Sequence, residues 1–79
     1  MDSVEKIIQQ MLGNPQGVRF ADLRKVCDHH FGDGREKSGH IIYKTPWRGD
    51  PRINIQNDKG KAKAYQVRQV LKAIARLEL

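Results

Sequence analysis

Apolar residues recur among polar ones in the N-terminal segment at the spacing of an amphipathic helix. The apolar positions stand at i, i+3, i+4, i+7 and i+8, and they are Val4, Ile7, Ile8, Met11 and Leu12. Asp2 with Glu5 matches a capping box at the start of this segment, and Gly13-Asn14-Pro15 contains residue types that stop a helix. The pattern predicts a first helix over about residues 3–12.

A second apolar series follows at the same helical spacing. Its members are Phe20, Leu23, Val26, Cys27, His30 and Phe31. The glycines of Gly32-Asp33-Gly34 end the series, so a second helix is expected over about residues 21–31. His30 lies on the apolar stripe and is expected to pack, whereas His29 is expected to be exposed.

The hydrophobic period then changes to two, as in β-strands. Strands are expected over residues 35–38, 40–44 and 52–56, with a loop over 45–51 and a turn over 57–60. Ile41 and Tyr43 of the second strand, and Ile53 and Ile55 of the third, would face inward. His40 would lie on the opposite face of the sheet.

The last segment returns to helical spacing. Its apolar stripe consists of Val67, Val70, Leu71, Ile74 and Leu77, which predicts a helix from residue 61 or 62 to residue 77. The order of elements predicts an α+β fold in which helices pack on one face of a small antiparallel three-stranded sheet. The length predicts a single domain over residues 1–79.

Composition narrows the chemistry. Apolar residues make up 38% of the chain, with two phenylalanines, two tyrosines and one tryptophan, enough to fill one layer but not to line a deep cofactor cavity. No bulky organic cofactor is therefore expected. Cys27 is the only cysteine, which excludes an internal disulfide and a cysteine-rich zinc site and fits a reducing compartment. Without a membrane-length apolar run or a basic leader, we expect a cytoplasmic protein and no membrane association.

Metal binding is not expected. Adjacent histidines on a helix, such as His29 and His30, point about 100° apart and do not readily face one ion. The acidic residues of the second half are dispersed, which argues against a two-metal nuclease; they are Glu36, Asp50, Asp58 and Glu78. Any cleavage reaction is expected to be metal-independent.

Positive charge is confined to the second half of the chain. The net charge is +6; residues 1–33 hold four Lys/Arg and five Asp/Glu, whereas residues 34–79 hold eleven and four. This segregation favours a surface that faces a polyanion, with general solubility as the alternative. The last helix would carry a basic stripe of Lys61, Tyr65, Arg68, Lys72 and Arg76. Lys59, Lys61 and Lys63 surround its expected start and could hold phosphate oxygens, although an ordinary solvated face is the alternative.

His40 is the candidate catalytic residue. It follows Ser38-Gly39 and begins a strand on the face that the core does not use. An imidazole titrates near neutral pH and can move the protons required to cleave RNA, while nearby cations stabilise the phosphorane; these are Arg35, Lys37 and Lys44. The alternative is that His40 is a polar surface residue. Trp47 in the loop either stacks on a base or a partner, or covers the sheet edge.

From about Phe20 to Leu77 the chain resembles the HicA-type toxins of bacterial toxin–antitoxin systems. The resemblance is carried by the segments Ala21–Cys27, Arg35–Tyr43, Thr45–Trp47, Arg52–Gln56 and Tyr65–Leu71. It implies a fold like that of double-stranded-RNA-binding domains, an α-β-β-β-α core over residues 20–79, with residues 1–19 as an N-terminal helical extension. The family's Gly-Ser-His motif reads Ser38-Gly39-His40 here, so only the histidine carries over directly.

The resemblance implies a toxin that cleaves mRNA with His40 and is silenced by a HicB-type antitoxin. The free toxin is expected to be monomeric and to form a heteromeric complex with that antitoxin. Phosphates would be bound by Arg35, Lys37, Lys44, Lys59, Lys61, Lys63 and Arg68. Two alternatives remain from the residues themselves, a non-catalytic RNA-binding module and a domain that binds an acidic protein partner.

Overall fold

A computed structural model describes residues 3–49 and 51–78. It contains three α-helices, which are α1 (Val4–Gly13), α2 (Phe20–Phe31) and α3 (Ala64–Leu77), with a short 3-10 helix at Pro15–Gly17. The side chain of Ser3 caps α1 by accepting a 3.2 Å hydrogen bond from the Lys6 N–H. The predicted cap at Asp2 lies outside the described residues, as does Asp50 of the loop.

Four antiparallel strands form one sheet in the order β1-β2-β3-β4. They are β1 (Arg35–Lys37), β2 (His40–Tyr43), β3 (Ile53–Asp58) and β4 (Lys61–Ala62). The α+β class is confirmed, but the three-stranded sheet predicted from the sequence lacks β4. Likewise α3 begins at Ala64, so Lys61 belongs to a strand and not to the helix.

Tertiary hydrogen bonds explain why β4 replaces the predicted helix start. The Ala62 N–H donates to the carbonyl of Val18 at 2.9 Å, and the Phe20 N–H donates to the carbonyl of Gly60 at 3.0 Å. The segment before α2 thus lies along the outer side of β4. These long-range bonds override the helix propensity of the alanine and lysine residues.

Two tight hairpins connect the strands. Ser38 and Gly39 join β1 to β2 with φ of 51° and 82°, and Lys59 and Gly60 join β3 to β4 with φ of 53° and 87°. Positive φ at both central residues is the signature of a type I′ turn, which matches the twist of the strands it connects. Gly39 thus meets a requirement of the hairpin.

The helices cover one face of the sheet. Ile41 and Tyr43 of β2, with Ile53 and Ile55 of β3, are buried there in one core with side chains of all three helices. Those helical side chains are Ile7, Met11, Leu23, Val26, Cys27, Val67, Val70, Ala73 and Ile74. Because α1 contributes the fully buried Met11, the N-terminal helix is part of the common core.

Tyr43 links the sheet to α2 through both its ring and its hydroxyl. The ring is fully buried and lies 6.5 Å from the ring of Phe31, centroid to centroid. The hydroxyl donates a 2.6 Å hydrogen bond to Asp28. A Cβ at Gly34 would overlap the side chains of Ile41 and Tyr43, so the chain leaves α2 directly against them. This contact fixes where β1 begins.

No helix in the described part of the chain is both long enough and apolar enough to cross a bilayer.

His30 provides a pH-dependent contribution to stability. Its ring is partly buried, and within the described residues its Nε2 atom is enclosed without a hydrogen-bond partner. Burial, followed by the proximity of His29, lowers the pKa of His30 below the ordinary 6.5, although Glu78 opposes the shift. The folded state therefore favours the neutral ring. Its contribution is fully present above pH 6.5 and is lost as the pH falls below that value, because the unfolded chain then binds the proton first.

We expect denaturant unfolding to show a smaller loss of stability between pH 7.5 and pH 5.5 in His30→Gln than in the unsubstituted protein. The comparison variant is His29→Gln, which removes the smaller cause of the lowered pKa but keeps the burial of His30, so it should reduce the pH dependence less than His30→Gln does. An equal loss of stability in His30→Gln and in the unsubstituted protein would show that this ring does not cause the effect.

Candidate functional site

His40 opens β2 on the sheet face that the helices leave uncovered. It is half-buried, and its strand neighbours Ile41 and Tyr43 turn into the core. The pairing register places Lys37 of β1 opposite His40 on one side and Gln56 of β3 opposite it on the other. Opposed side chains of an antiparallel pair share a face, with Cβ atoms about 4.5–5.5 Å apart. Lys37 and His40 therefore occupy neighbouring positions on the uncovered face.

Asn54 contacts the His40 ring. Its Oδ1 atom lies 2.9 Å from Nδ1 of His40. Asn54 is paired with Ile42, so it reaches the histidine diagonally across the β2–β3 ladder. The strand pattern predicted an outward-facing Asn54 but gave it no role. The missing information was the register between the two strands.

A second group of cations lies farther along the same hairpin. Arg35 is paired with Ile42 and therefore lies on the face that carries His40. Arg35 and Lys44 line a groove of about 330 Å³ together with Arg52, which the sequence prediction did not include. The remaining lining residues are Phe31, Asp33, Gly34 and Ile42. Two of the predicted phosphate-binding residues thus line one groove, and Arg35 is paired two residues along β2 from the histidine.

The three lysines around residue 60 line a groove at the opposite edge of the sheet. Lys59 is a turn residue, Lys61 is paired with Asp58, and Lys63 occupies the N-cap position of α3. The groove has a volume of about 700 Å³ and is also lined by Tyr65, whose side chain is 55% exposed. The lysines cluster as predicted, but on a hairpin and not on the first turn of a helix.

Strand geometry gives the separation between His40 and these lysines. Lys61 lies two strands from His40 and two residues farther along β3, since it is opposite Asp58 while His40 is opposite Gln56. With strands about 4.8 Å apart and about 3.3 Å per residue, the two Cα atoms are roughly 12 Å apart. A short polynucleotide reaches both positions.

Arg68 is not part of this surface. It is exposed on α3, and α3 packs on the face of the sheet opposite to His40. The basic stripe predicted on the last helix is shorter than expected, because Lys61 lies outside the helix. Arg68 is therefore separated from the histidine by the sheet and the core.

Trp47 packs against the core at the edge of the sheet. Its side chain is partly buried, and the guanidinium of Arg76 lies 4.3 Å from the centre of its ring. A cation–π contact at this distance stabilises the loop against α3. Of the two roles considered for Trp47, this geometry favours covering the sheet edge.

Two other candidate groups belong to the packing of α2. Cys27 is fully buried, and burial followed by the charge of Asp28 raises its pKa to about 12, so the thiol is not a nucleophile near neutral pH. The rings of His29 and His30 meet edge to face with centroids 5.0 Å apart. Within residues 3–49 and 51–78, no three His, Cys, Asp or Glu side chains gather as a metal site would require.

The uncovered face thus combines one imidazole with cations on both sides of it, which is suited to binding a polyanion and to transferring a proton beside it. The buried Gln66 helps to hold this face in place, since its Oε1 accepts a 2.8 Å hydrogen bond from the Gln56 N–H. Comparisons of the chain with protein-family models, with curated proteins and with solved structures give no match.

Proposed function

We propose that the protein is the toxin of a type II toxin–antitoxin pair and acts as a metal-independent endoribonuclease on mRNA. The observation that carries the proposal is the position of His40, half-exposed on the uncovered sheet face and directly opposite Lys37. The resemblance of residues 20–77 to HicA-type toxins supports the same assignment through this histidine. The α+β architecture is compatible with the double-stranded-RNA-binding-domain-like core that the family implies.

The reaction needs a base and positive charge, which this face supplies, and solvent water. The 2′-hydroxyl of a ribose loses its proton to His40, and its oxygen forms a bond to the adjacent phosphorus while the bond to the 5′-oxygen breaks. The departing 5′-oxygen takes a proton from water, the proton on His40 passes to solvent, and the products end in a 2′,3′-cyclic phosphate and a 5′-hydroxyl. Lys37 neutralises charge that develops on the phosphorane. The cations of the two grooves, Arg35 with Lys44 and Lys61 with its neighbours, hold the flanking phosphates.

The resemblance further implies control by a HicB-type antitoxin in the cytoplasm. A protein that silences the toxin must cover His40 or exclude RNA from the cations around it. We therefore propose that the antitoxin presents acidic side chains to this face. The free toxin is proposed to be a monomer that becomes heteromeric on binding its antitoxin.

The proposal is tested with purified protein and a single-stranded RNA. We expect cleavage to persist in EDTA, to leave 2′,3′-cyclic phosphate ends, and to fail on the same oligonucleotide with 2′-O-methyl riboses, which cannot supply the nucleophile. Induced expression should arrest growth. No cleavage of any RNA, or cleavage lost in EDTA and restored by a divalent cation, would contradict the proposal.

A second candidate, the non-catalytic RNA-binding module, is favoured by the groove beside β4. Lys59, Lys61 and Lys63 line the same groove as the exposed Tyr65, and cations combined with an aromatic ring bind single-stranded nucleic acid without needing His40. This function predicts salt-dependent RNA binding that Tyr65→Ala weakens and His40→Ala leaves unchanged, with intact RNA throughout.

A further inference from the structure

We propose that Asn54 is a positioning residue that sets the tautomer of His40, so that Nε2 is the atom that takes the substrate proton. The consequence for catalysis rests on the proposed function, whereas the tautomer is a property of the free protein. The proposal starts from the 2.9 Å contact between Nδ1 of His40 and Oδ1 of Asn54.

The chemistry of the two atoms fixes the direction of the hydrogen bond. An amide oxygen only accepts, so Nδ1 carries the hydrogen and donates it. A neutral imidazole has one N–H, which leaves the lone pair on Nε2. Within the described residues, Nε2 of His40 has no hydrogen-bond partner of its own. The free nitrogen of the ring is thus the basic one.

The backbone holds both side chains in this arrangement. His40 and Asn54 lie on adjacent strands whose register is defined by four consecutive pairs, from His40–Gln56 to Tyr43–Ile53. On the other side of each strand, the buried Ile41, Tyr43, Ile53 and Ile55 prevent the register from shifting. Asn54 therefore meets the imidazole from a fixed position, although both side chains are accessible from the uncovered face.

The arrangement has a functional meaning in the proposed reaction. A general base that a third group orients is held in the rotamer in which its lone pair faces the substrate. Here Asn54 would orient His40, and His40 would activate the 2′-hydroxyl as the nucleophile. Asn54 is uncharged, so it orients the ring without adding a negative charge beside the phosphate that Lys37 attracts. A carboxylate at the same position would orient the ring but would repel the RNA.

The tautomer is measured by long-range ¹H–¹⁵N correlation of the imidazole rings at a pH where they are neutral, with His40→Ala used to assign the signals. We expect Nδ1 to appear protonated and Nε2 unprotonated in the original protein. Asn54→Asp keeps an acceptor oxygen and should keep this pattern. Asn54→Ala removes the acceptor and should return the ring to the Nε2–H form that imidazole prefers in water. An Nε2–H ring in the original protein, or an unchanged pattern in Asn54→Ala, would overturn the proposal.

Activity gives a second, separable result. Asn54→Ala should lower kcat for RNA cleavage by about ten- to a hundred-fold with little change in KM, because a displaced base slows the chemical step more than it weakens phosphate binding. A fall in affinity with an unchanged kcat would overturn the positioning role. If the original protein cleaves no RNA, the proposed function fails, and the imidazole spectra still decide whether Asn54 sets the tautomer.

Discussion

His40→Ala is expected to abolish RNA cleavage and growth arrest while leaving the fold and RNA binding in place. General acid–base catalysis by one side chain contributes about 10²–10⁴-fold, and no second imidazole reaches the uncovered face to replace it, because His29 and His30 lie on α2. The cleavage rate should fall by at least about a hundred-fold in single-turnover experiments. Since Lys37 and the two cationic grooves remain, the affinity for RNA should change little.

The matched control for this substitution is His29→Ala. It removes one exposed imidazole from a surface that the sheet does not form, so cleavage should be unaffected. Urea unfolding of both variants shows whether the fold is retained, since neither side chain belongs to the core. Cleavage by His40→Ala at the original rate would rule out His40 as the catalytic residue and would assign the cleavage to other side chains.

The largest effect on stability is expected from Tyr43→Ala. Truncating a fully buried aromatic ring removes its burial and leaves a cavity, which costs about 3–5 kcal/mol of unfolding free energy. That is a large share of the 5–15 kcal/mol typical of a whole domain. The variant should unfold at a much lower urea concentration, or fail to fold at 37 °C.

Tyr43→Phe separates the ring from its hydroxyl. It keeps the packing against Phe31 and loses the 2.6 Å hydrogen bond to Asp28. Because the Asp28 side chain is 51% exposed and water can replace the bond, the cost should be nearer to about 1 kcal/mol. A Tyr43→Phe variant as unstable as Tyr43→Ala would mean that the hydrogen bond, and not the buried ring, holds β2 to α2.

The hydrophobic pattern predicted most of the elements because each has a distinct period. The spacing of Val4, Ile7 and Met11 gave α1, and the alternation around Ile41 gave β2, with bounds within one or two residues of those observed. The hydrophobic pattern missed β4, because a strand of two residues is too short to show a period. Lys61 and Ala62 form a strand because they pair with β3 and contact the segment before α2, and neither partner is evident from local sequence.

For the candidate site, the sequence could predict which face of the sheet each strand residue occupies, but not which residues pair between strands. Alternation placed His40 on the face opposite Ile41. The tight hairpin that sets Lys37 opposite His40 was not predicted, because residue 38 was assigned to the strand and not to a turn. The contact with Asn54 depends on how β2 and β3 align across a loop of nine residues, and composition does not define that alignment. Arg68 stays a predicted phosphate-binding residue, but it lies on α3, on the side of the sheet opposite to His40, so it does not belong to the surface around the histidine.

Buried and outward-facing residues alternate along β2, so the packing of Ile41 and Tyr43 in the core also determines that His40 faces outward. A shift of one residue along β3 would expose two large apolar side chains and bury the ring, at a cost of about 1.5–3 kcal/mol for each apolar side chain left in water. The free energy that folds the domain therefore also selects the strand alignment in which the histidine meets solvent. Substitutions in the interior that loosen this alignment should disturb the outer surface before they unfold the chain.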